Sequence, residues 1–167
     1  MKLSIIIVSY NVKSYLRQCL KSIFTSKGLS KLEVIIIDNH SFDGSCHFLR
    51  SKYPNIKLIE NQKNLGFSVA VNQGIHEAKG EYVCFLNPDT LIQDDTFSVL
   101  ISHIEAYPQV GCIGPKILNP DGTLQKSCKR SFPTPVVALP KVLGLNRLFP
   151  KSKWFGRYNL THLNENE

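Results

Sequence analysis

A chain of 167 residues with 43% hydrophobic and 20% charged residues can bury one sizeable core and is ordinary for a globular domain. No apolar stretch approaches the roughly 20 residues that span a bilayer, and Met1-Lys2 leads into a strand-like run without a cleavage site, so neither a membrane span nor a signal peptide is predicted. The formal charge of +7 is uneven: residues 1–112 hold 11 Lys and Arg against 10 Asp and Glu, while residues 113–167 hold 9 against 3. Such asymmetry suits an anionic partner, a membrane surface, a lipid-linked phosphate or nucleic acid, and reads equally as a solvated tail of no specific function. The basic residues are scattered rather than set on one helical face, which argues against nucleic acid.

The elements alternate in chain order. Residues 3–8 form an apolar strand that ends at Ser9-Tyr10-Asn11. Tyr15, Leu16, Cys19, Leu20, Ile23 and Phe24 recur at helical spacing, predicting a helix over 12–26 with Gly28 as its stop. A second strand over 33–37 hands over to Asp38-Asn39, and 43–52 reads as a short helix with Pro54 just beyond. Residues 56–60 give a third strand. After Gly66 the positions Val71, Gly74, Ile75 and Ala78 mark a helix ended by Gly80. The fourth strand, 81–86, stops at Asn87-Pro88-Asp89-Thr90, and Phe97, Leu100, Ile101 and Ile104 form the inner face of a fourth helix before Pro108. A fifth strand is predicted over 110–118, broken by Gly111 and Gly114. Asn119-Pro120-Asp121-Gly122 then starts a hairpin toward Gln125. From about residue 130 the regularity fades among Pro133, Pro135, Pro140 and Pro150; residues 139–149 read as a short helix, a loop or a membrane-touching patch.

Strands separated by helices predict an α/β fold, a Rossmann-like, mostly parallel sheet flanked by helices with right-handed crossovers. Polar groups at three strand ends predict a ligand crevice along the carboxyl edge. The boundary is set at 130: a ligand-binding domain over 1–130 and an irregular basic tail over 131–167. The five cysteines are odd in number, widely spaced and without a Cys-x-x-Cys, which argues against a zinc site or disulfide framework and for a reducing cytoplasm.

Chemistry is expected at the strand ends. A metal bridging a diphosphate needs a hard oxygen ligand and open positions for phosphate oxygens and water, and Asp89 supplies one such ligand. The competing reading makes Asp89 a turn or helix-capping aspartate ahead of Asp94-Asp95. Asn87, two residues earlier, falls on the same side and can bond a ribose hydroxyl or the local backbone. Asp38 can accept the imide N–H of a pyrimidine base, with Ser9, Tyr10 and Asn11 completing the pocket. Those three residues also read as a tight turn with Asn11 as N-cap. Asn39, Ser41, Asp43 and Gly44 read first as turn and cap chemistry. Asn64-Leu65-Gly66-Phe67 lacks the Gly-x-Gly-x-x-Gly spacing, and no P-loop pattern exists, so neither phosphate cradle is supported.

Five motifs then occur in order: Ile5-Ile6-Ile7-Val8-Ser9-Tyr10-Asn11, Ile37-Asp38-Asn39-x-Ser41-x-Asp43-Gly44-Ser45, Asn64-x-Gly66-Phe67, Asn72-x-Gly74 and Leu86-Asn87-Pro88-Asp89. Together they resemble the donor-binding half of family 2 inverting glycosyltransferases with the GT-A fold. The stretch from Gly114 to Gln125, followed by Cys128-Lys129-Arg130-x-Phe132-Pro133-Thr134, is similar to the bacterial rhamnosyltransferase branch. The resemblance implies that Asp38 binds the pyrimidine with Ser9, Tyr10 and Asn11 around it. It implies that Asn39, Gly66, Asn72 and Asn87 belong to the same nucleotide-sugar site, and that Asp89 holds Mg2+ or Mn2+ on the diphosphate. The family's Asp-x-Asp is Asn87-x-Asp89 here, and Val71 stands where many relatives have Arg.

The implied activity is transfer of a sugar, rhamnose or a similar hexose, from a dTDP- or UDP-sugar to a saccharide or polyprenyl-linked acceptor in cell-surface polysaccharide synthesis. That places the chain in the cytoplasm, peripheral to the inner face of the membrane, and admits a homo-oligomer. The family's general base is a downstream carboxylate in an acidic Glu-Asp motif; after Asp121 this sequence has only Glu165 and Glu167. The acceptor half is therefore expected to be missing, no catalytic residue is assigned, and donor binding with feeble transfer is expected. The alternative is a non-catalytic nucleotide-sugar-binding fragment or module. A nucleotidyltransferase would want a Gly-rich loop and activating Lys after the first strand, where Ser9-Tyr10-Asn11-Val12 offers neither.

Overall fold

Four strands pair in parallel: β1 (Leu3–Ser9), β2 (Leu32–Asp38), β3 (Lys57–Glu60) and β4 (Tyr82–Phe85), in the spatial order β3-β2-β1-β4. The computed structural model describes residues 2–28, 31–125, 128–160 and 162. Helices α1 (Lys13–Thr25), α2 (Ser45–Lys52), α3 (Phe67–Glu77) and α4 (Thr96–Ala106) connect and follow the strands.

The central strands are apolar without interruption because both of their faces are covered. Ile5 and Ile7 of β1 and Val34 and Ile36 of β2 pack with Leu16, Cys19, Leu20 and Ile23 of α1, Leu49 of α2 and Phe97 of α4. The alternate positions, Ile6, Ile35 and Ile37, pack with Ala70 of α3 on the opposite face. Each fully buried isoleucine contributes about 1.5–3 kcal/mol relative to exposure. α3 lies so close to the sheet that a Cβ on Gly74 would stand 2.5 Å from Ile6 Cγ2.

The chain runs outward from β1 through β2 to β3, then returns by way of α3 to lay β4 on the other side of β1. This reversal is the topological switch point of an open α/β sheet, where adjacent crossovers leave in opposite directions and open a crevice. It falls between the ends of β1 and β4.

One predicted strand is corrected. Residues 110–118 take no place in the sheet; a single antiparallel bridge joins Leu118 to Leu124 across the hairpin. Gly111 and Gly114 weaken an extended run, and Pro115 removes a donor from any ladder. The turn itself forms: Gly122 N–H donates to Asn119 O at 2.9 Å, with Gly122 at φ +81°.

The chain divides into two compact units, 1–113 and 114–167. The hairpin, expected in a first domain ending at 130, groups with the second unit. That unit also holds α5 (Pro135–Val142) and α6 (Leu145–Leu148). Glu165 and Glu167 lie outside the described residues. No helix among the described residues is long and apolar enough to cross a membrane.

Candidate functional site

The register of β1 and β2 sets Ser9 beside Asp38 at the carboxyl edge. Both are buried, Asp38 to 1% exposure. Asp38 Oδ2 accepts the Ser41 N–H at 2.8 Å. Asp38 Oδ1 and Ser9 Oγ are buried without a hydrogen-bond partner among the described residues. An unsatisfied buried polar atom costs about 1–3 kcal/mol, and two at one sheet edge mark a place where a ligand can restore what folding leaves unpaired.

The loops around this pair are tied to each other. Asn11, at φ +53°, donates its N–H to Ser41 Oγ at 2.9 Å and accepts the Phe42 N–H on Oδ1 at 2.8 Å. Asn11 is thus a clasp between the loops after β1 and β2, not the N-cap of α1, a position held by Val12. The orphan N–H of Lys13 at the start of α1 is satisfied instead by Asp43 Oδ2 at 2.7 Å. Asp43 Oδ1 accepts Ser45 N–H at 3.0 Å and also Ser45 Oγ, so one carboxylate serves the first turns of two helices. Burial pushes the Asp43 carboxyl up, but the bonds from Ser45 and Lys13 outweigh it and hold it below its ordinary value. Tyr10 stands 46% exposed at the mouth of these loops.

Asn39 is almost fully buried and donates its backbone N–H to Ser9 O at 2.8 Å. Its side chain reaches Gly66 O at 3.3 Å, and its Oδ1 accepts from Asn61 Nδ2 at 2.8 Å. Asn61 and Gln73 exchange two amide bonds of 2.9 Å each. This relay binds the ends of β1, β2 and β3 to the entry and middle of α3. Gly66, at φ +78° and ψ +168°, occupies backbone space open only to glycine, and a Cβ there would meet nothing within 4 Å. Asn39 and Gly66 are expected at the site from the sequence; Asn61 and Gln73 are not. Asn61 follows β3 as Asn39 follows β2, a signal at hand; nothing in the sequence pairs it with a residue 12 positions later.

Cys46, at the start of α2, lies by the same edge. Burial and the charges of Asp38 and Glu60 push its thiol up to about 12, so it stays protonated.

At the other side of β1, Leu86 N–H donates to Ile6 O at 3.0 Å, which carries β4's direction on to Asn87. Thr90 N–H closes a turn on Asn87 O at 3.2 Å, and the Cys19 thiol leans on the same carbonyl at 3.8 Å. Ile92 N–H donates to Ser22 Oγ at 3.0 Å, pinning the next segment to α1. Asn87 and Asp89 are exposed. No hydrogen bond or ion pair engages the Asp89 carboxylate among the described residues, and α4 starts behind Asp95 with no side-chain cap bond, so Asp89 caps no helix. Burial first, then the Asp89 charge, push the Cys19 thiol up to about 12.

Ser9, Tyr10, Asn11, Asp38, Asn39, Gly66, Asn87 and Asp89 therefore share the carboxyl edge. Asn72 does not join them: Ala70 and Gly74 form the buried side of α3, which sets Asn72 on its exposed side. Among the described residues no group of three His, Cys, Asp or Glu could hold a metal. The donor set, one unengaged carboxylate beside an amide, still fits a divalent cation that takes most of its shell from a diphosphate and water. An apolar hollow of about 170 Å³, lined by Leu49, Arg50, Tyr53, Pro54, Ile56 and Leu58, lies at the amino end of β3, away from this edge.

The profile described as glycosyl transferase family 2 matches residues 4–160. The chain belongs to glycosyl transferase family 2. Along its length this family 2 chain is 27% identical to the N-acetylglucosaminyl-diphospho-decaprenol L-rhamnosyltransferase of Mycobacterium tuberculosis, over 99% of this chain and 56% of that protein. It thus spans little more than half the length of that relative. Among solved structures it is similar to Staphylococcus aureus TarS 1–349 in complex with UDP-GlcNAc. The TM-score is 0.60 at 26% identity, over 65% of this chain and 32% of that one. It is also similar to the mannosyltransferase PcManGT from Pyrobaculum calidifontis in complex with GDP-Man and Mn2+. There the TM-score is 0.61 at 26% identity, over 69% and 36%. The parallel α/β sheet of the GT-A type expected from the sequence is the fold observed.

Proposed function

We propose that this family 2 chain binds a nucleotide-diphosphate sugar along the carboxyl edge and forms the donor half of a hexosyltransferase acting in cell-surface polysaccharide synthesis. The observation that carries the reading is the orphaned pair Ser9 Oγ and Asp38 Oδ1, sharing one sheet edge with the unengaged Asp89. The base lies against β1 and β2: a pyrimidine imide N–H donates to Asp38 Oδ1, and Ser9 Oγ takes a second polar atom of the nucleoside. Tyr10 covers the base and Asn87 accepts from the ribose. Asp89 would hold Mg2+ or Mn2+, which would offset the charge of the departing diphosphate.

The donor is a dTDP- or UDP-sugar, rhamnose being favoured by the Mycobacterium tuberculosis relative; the acceptor is a saccharide or a polyprenyl-linked one. In the transfer an acceptor hydroxyl attacks the anomeric carbon as the bond to the diphosphate breaks, and its proton passes to a base. Between Asp121 and Glu165 the sequence offers no carboxylate for that proton. A positioned base contributes about 10²–10⁴-fold, so this chain alone binds donor and transfers feebly.

Titration calorimetry with dTDP, UDP and GDP, with and without Mn2+, tests the proposal. Tighter binding of the pyrimidine nucleotides, strengthened by Mn2+, supports it. Equal affinity for all three, indifferent to metal, rejects it.

A further inference from the structure

We propose that the second unit docks on an anionic lipid bilayer through the outward stripe of α5 and the aromatic and basic side chains that follow it. α5 carries its apolar residues on the wrong side for a water-exposed helix. Val137 is buried to 7%, while Val136, Leu139, Val142 and Leu143 stand exposed, Val142 to 81%. At 3.6 residues per turn those four fall within about 120° of the helix circumference. Lys141 turns away from them, its Nζ lying 3.8 Å from the centre of the Tyr158 ring. Beyond α5 the apolar surface continues through Leu148, Phe149 and Trp154, the last 74% exposed.

The charge decides what covers this surface. Between Asp121 and Glu165 the sequence has eight Lys and Arg and no Asp or Glu. A second copy meeting it with the same face would bring the same positive charge, and residues 122–164 hold no acid to meet it, which disfavours self-association through this face. An anionic bilayer offers negative headgroups above an apolar layer over a wide plane, matching a stripe of aliphatic side chains flanked by cations and a tryptophan. At eight residues α5 lies in the interface rather than spanning it. The inference is independent of the donor site, which sits in the first unit.

Flotation of the full chain with vesicles of phosphatidylglycerol and phosphatidylcholine in equal parts, against phosphatidylcholine alone, tests it. The mixed vesicles should carry the protein at least about tenfold better, with the advantage shrinking in high salt. Trp154 emission should shift to the blue on binding. Leu139→Ser combined with Val142→Ser should weaken binding about tenfold, since the side chains are exposed and the fold does not need them. Lys151→Gln with Lys153→Gln should reduce the preference for the mixed vesicles. Unchanged circular dichroism and thermal unfolding in both variants separate docking from misfolding. Failure to float, equal binding to both vesicles, or indifference to the serine pair overturns the proposal. So does a concentration-dependent dimer in sedimentation that the serine pair abolishes.

Discussion

Asp38 and Asp89 differ in what each does for the folded chain, and the difference separates binding from stability. Asp38 is buried and already holds the Ser41 N–H. Asp38→Ala should lower folding stability by about 1 kcal/mol through that lost bond, and should weaken dTDP about 5–150-fold through the lost acceptor for the base. Thermal unfolding and calorimetry read the two effects separately. Asp89 is exposed and unengaged among the described residues, so Asp89→Ala should leave stability within about 0.5 kcal/mol while removing the Mn2+-dependent part of nucleotide binding. A variant that melts early would return Asp89 to a structural role. Asn61→Ala strands both the Asn39 and the Gln73 amide and should cost about 1–3 kcal/mol. Gln73 lies outside the expected pocket, yet it is the far support of Asn39, the residue that joins β2 to Gly66.

At the level of elements, two close fits set the fold's tolerance. Gly74→Ala gains about 1 kcal/mol of helix propensity but drives a Cβ into Ile6, and overpacking of about 1–3 kcal/mol should win; a lowered midpoint in urea checks the sign. Asp43 serves two helices, and its carboxyl sits below its ordinary value in the folded chain. Its contribution is therefore complete above the unfolded carboxylate pKa of about 4 and is lost as pH falls through the lower folded value. The difference in melting temperature between the wild type and Asp43→Ala should be constant above about pH 5 and shrink toward pH 2.

The strands and helices of the first unit were legible because each combines a clear period with its own stop signal, as in the helix between Gly66 and Gly80. Residues 110–118 misled because their apolar content resembles a strand while Gly111, Gly114 and Pro115 deny it a ladder. The strand-end residues of the site were legible as polar groups terminating apolar runs. Asp43 was legible as turn and cap chemistry; the clasp made by Asn11, the reach of Asp43 to Lys13 and the Asn61–Gln73 pair were not, because those partners lie 12 to 31 residues away and only the tertiary fold joins them.

For the whole molecule, the chain spans little more than half of its Mycobacterium tuberculosis relative, and its own first unit carries the switch point of the sheet. On the proposed function, mixing in a polypeptide that carries an acidic base should raise sugar transfer by about 10²–10⁴-fold over the chain alone, with donor affinity little changed. The central claim is that one groove at the carboxyl edge gathers β1, β2 and β4 around a single nucleotide. Amide NMR of the chain with dTDP and Mn2+ tests it most directly, since ligand shifts mark the base contacts and the paramagnetic ion broadens whatever lies near the metal. The predicted result is shifts at Ser9 to Asn11, Asp38 to Ser41 and Gly66, with broadening centred on Asn87 to Thr90 only when dTDP is present. Perturbations confined to the hollow around Tyr53 and Leu58, or broadening at Asp89 that ignores the nucleotide, would contradict it.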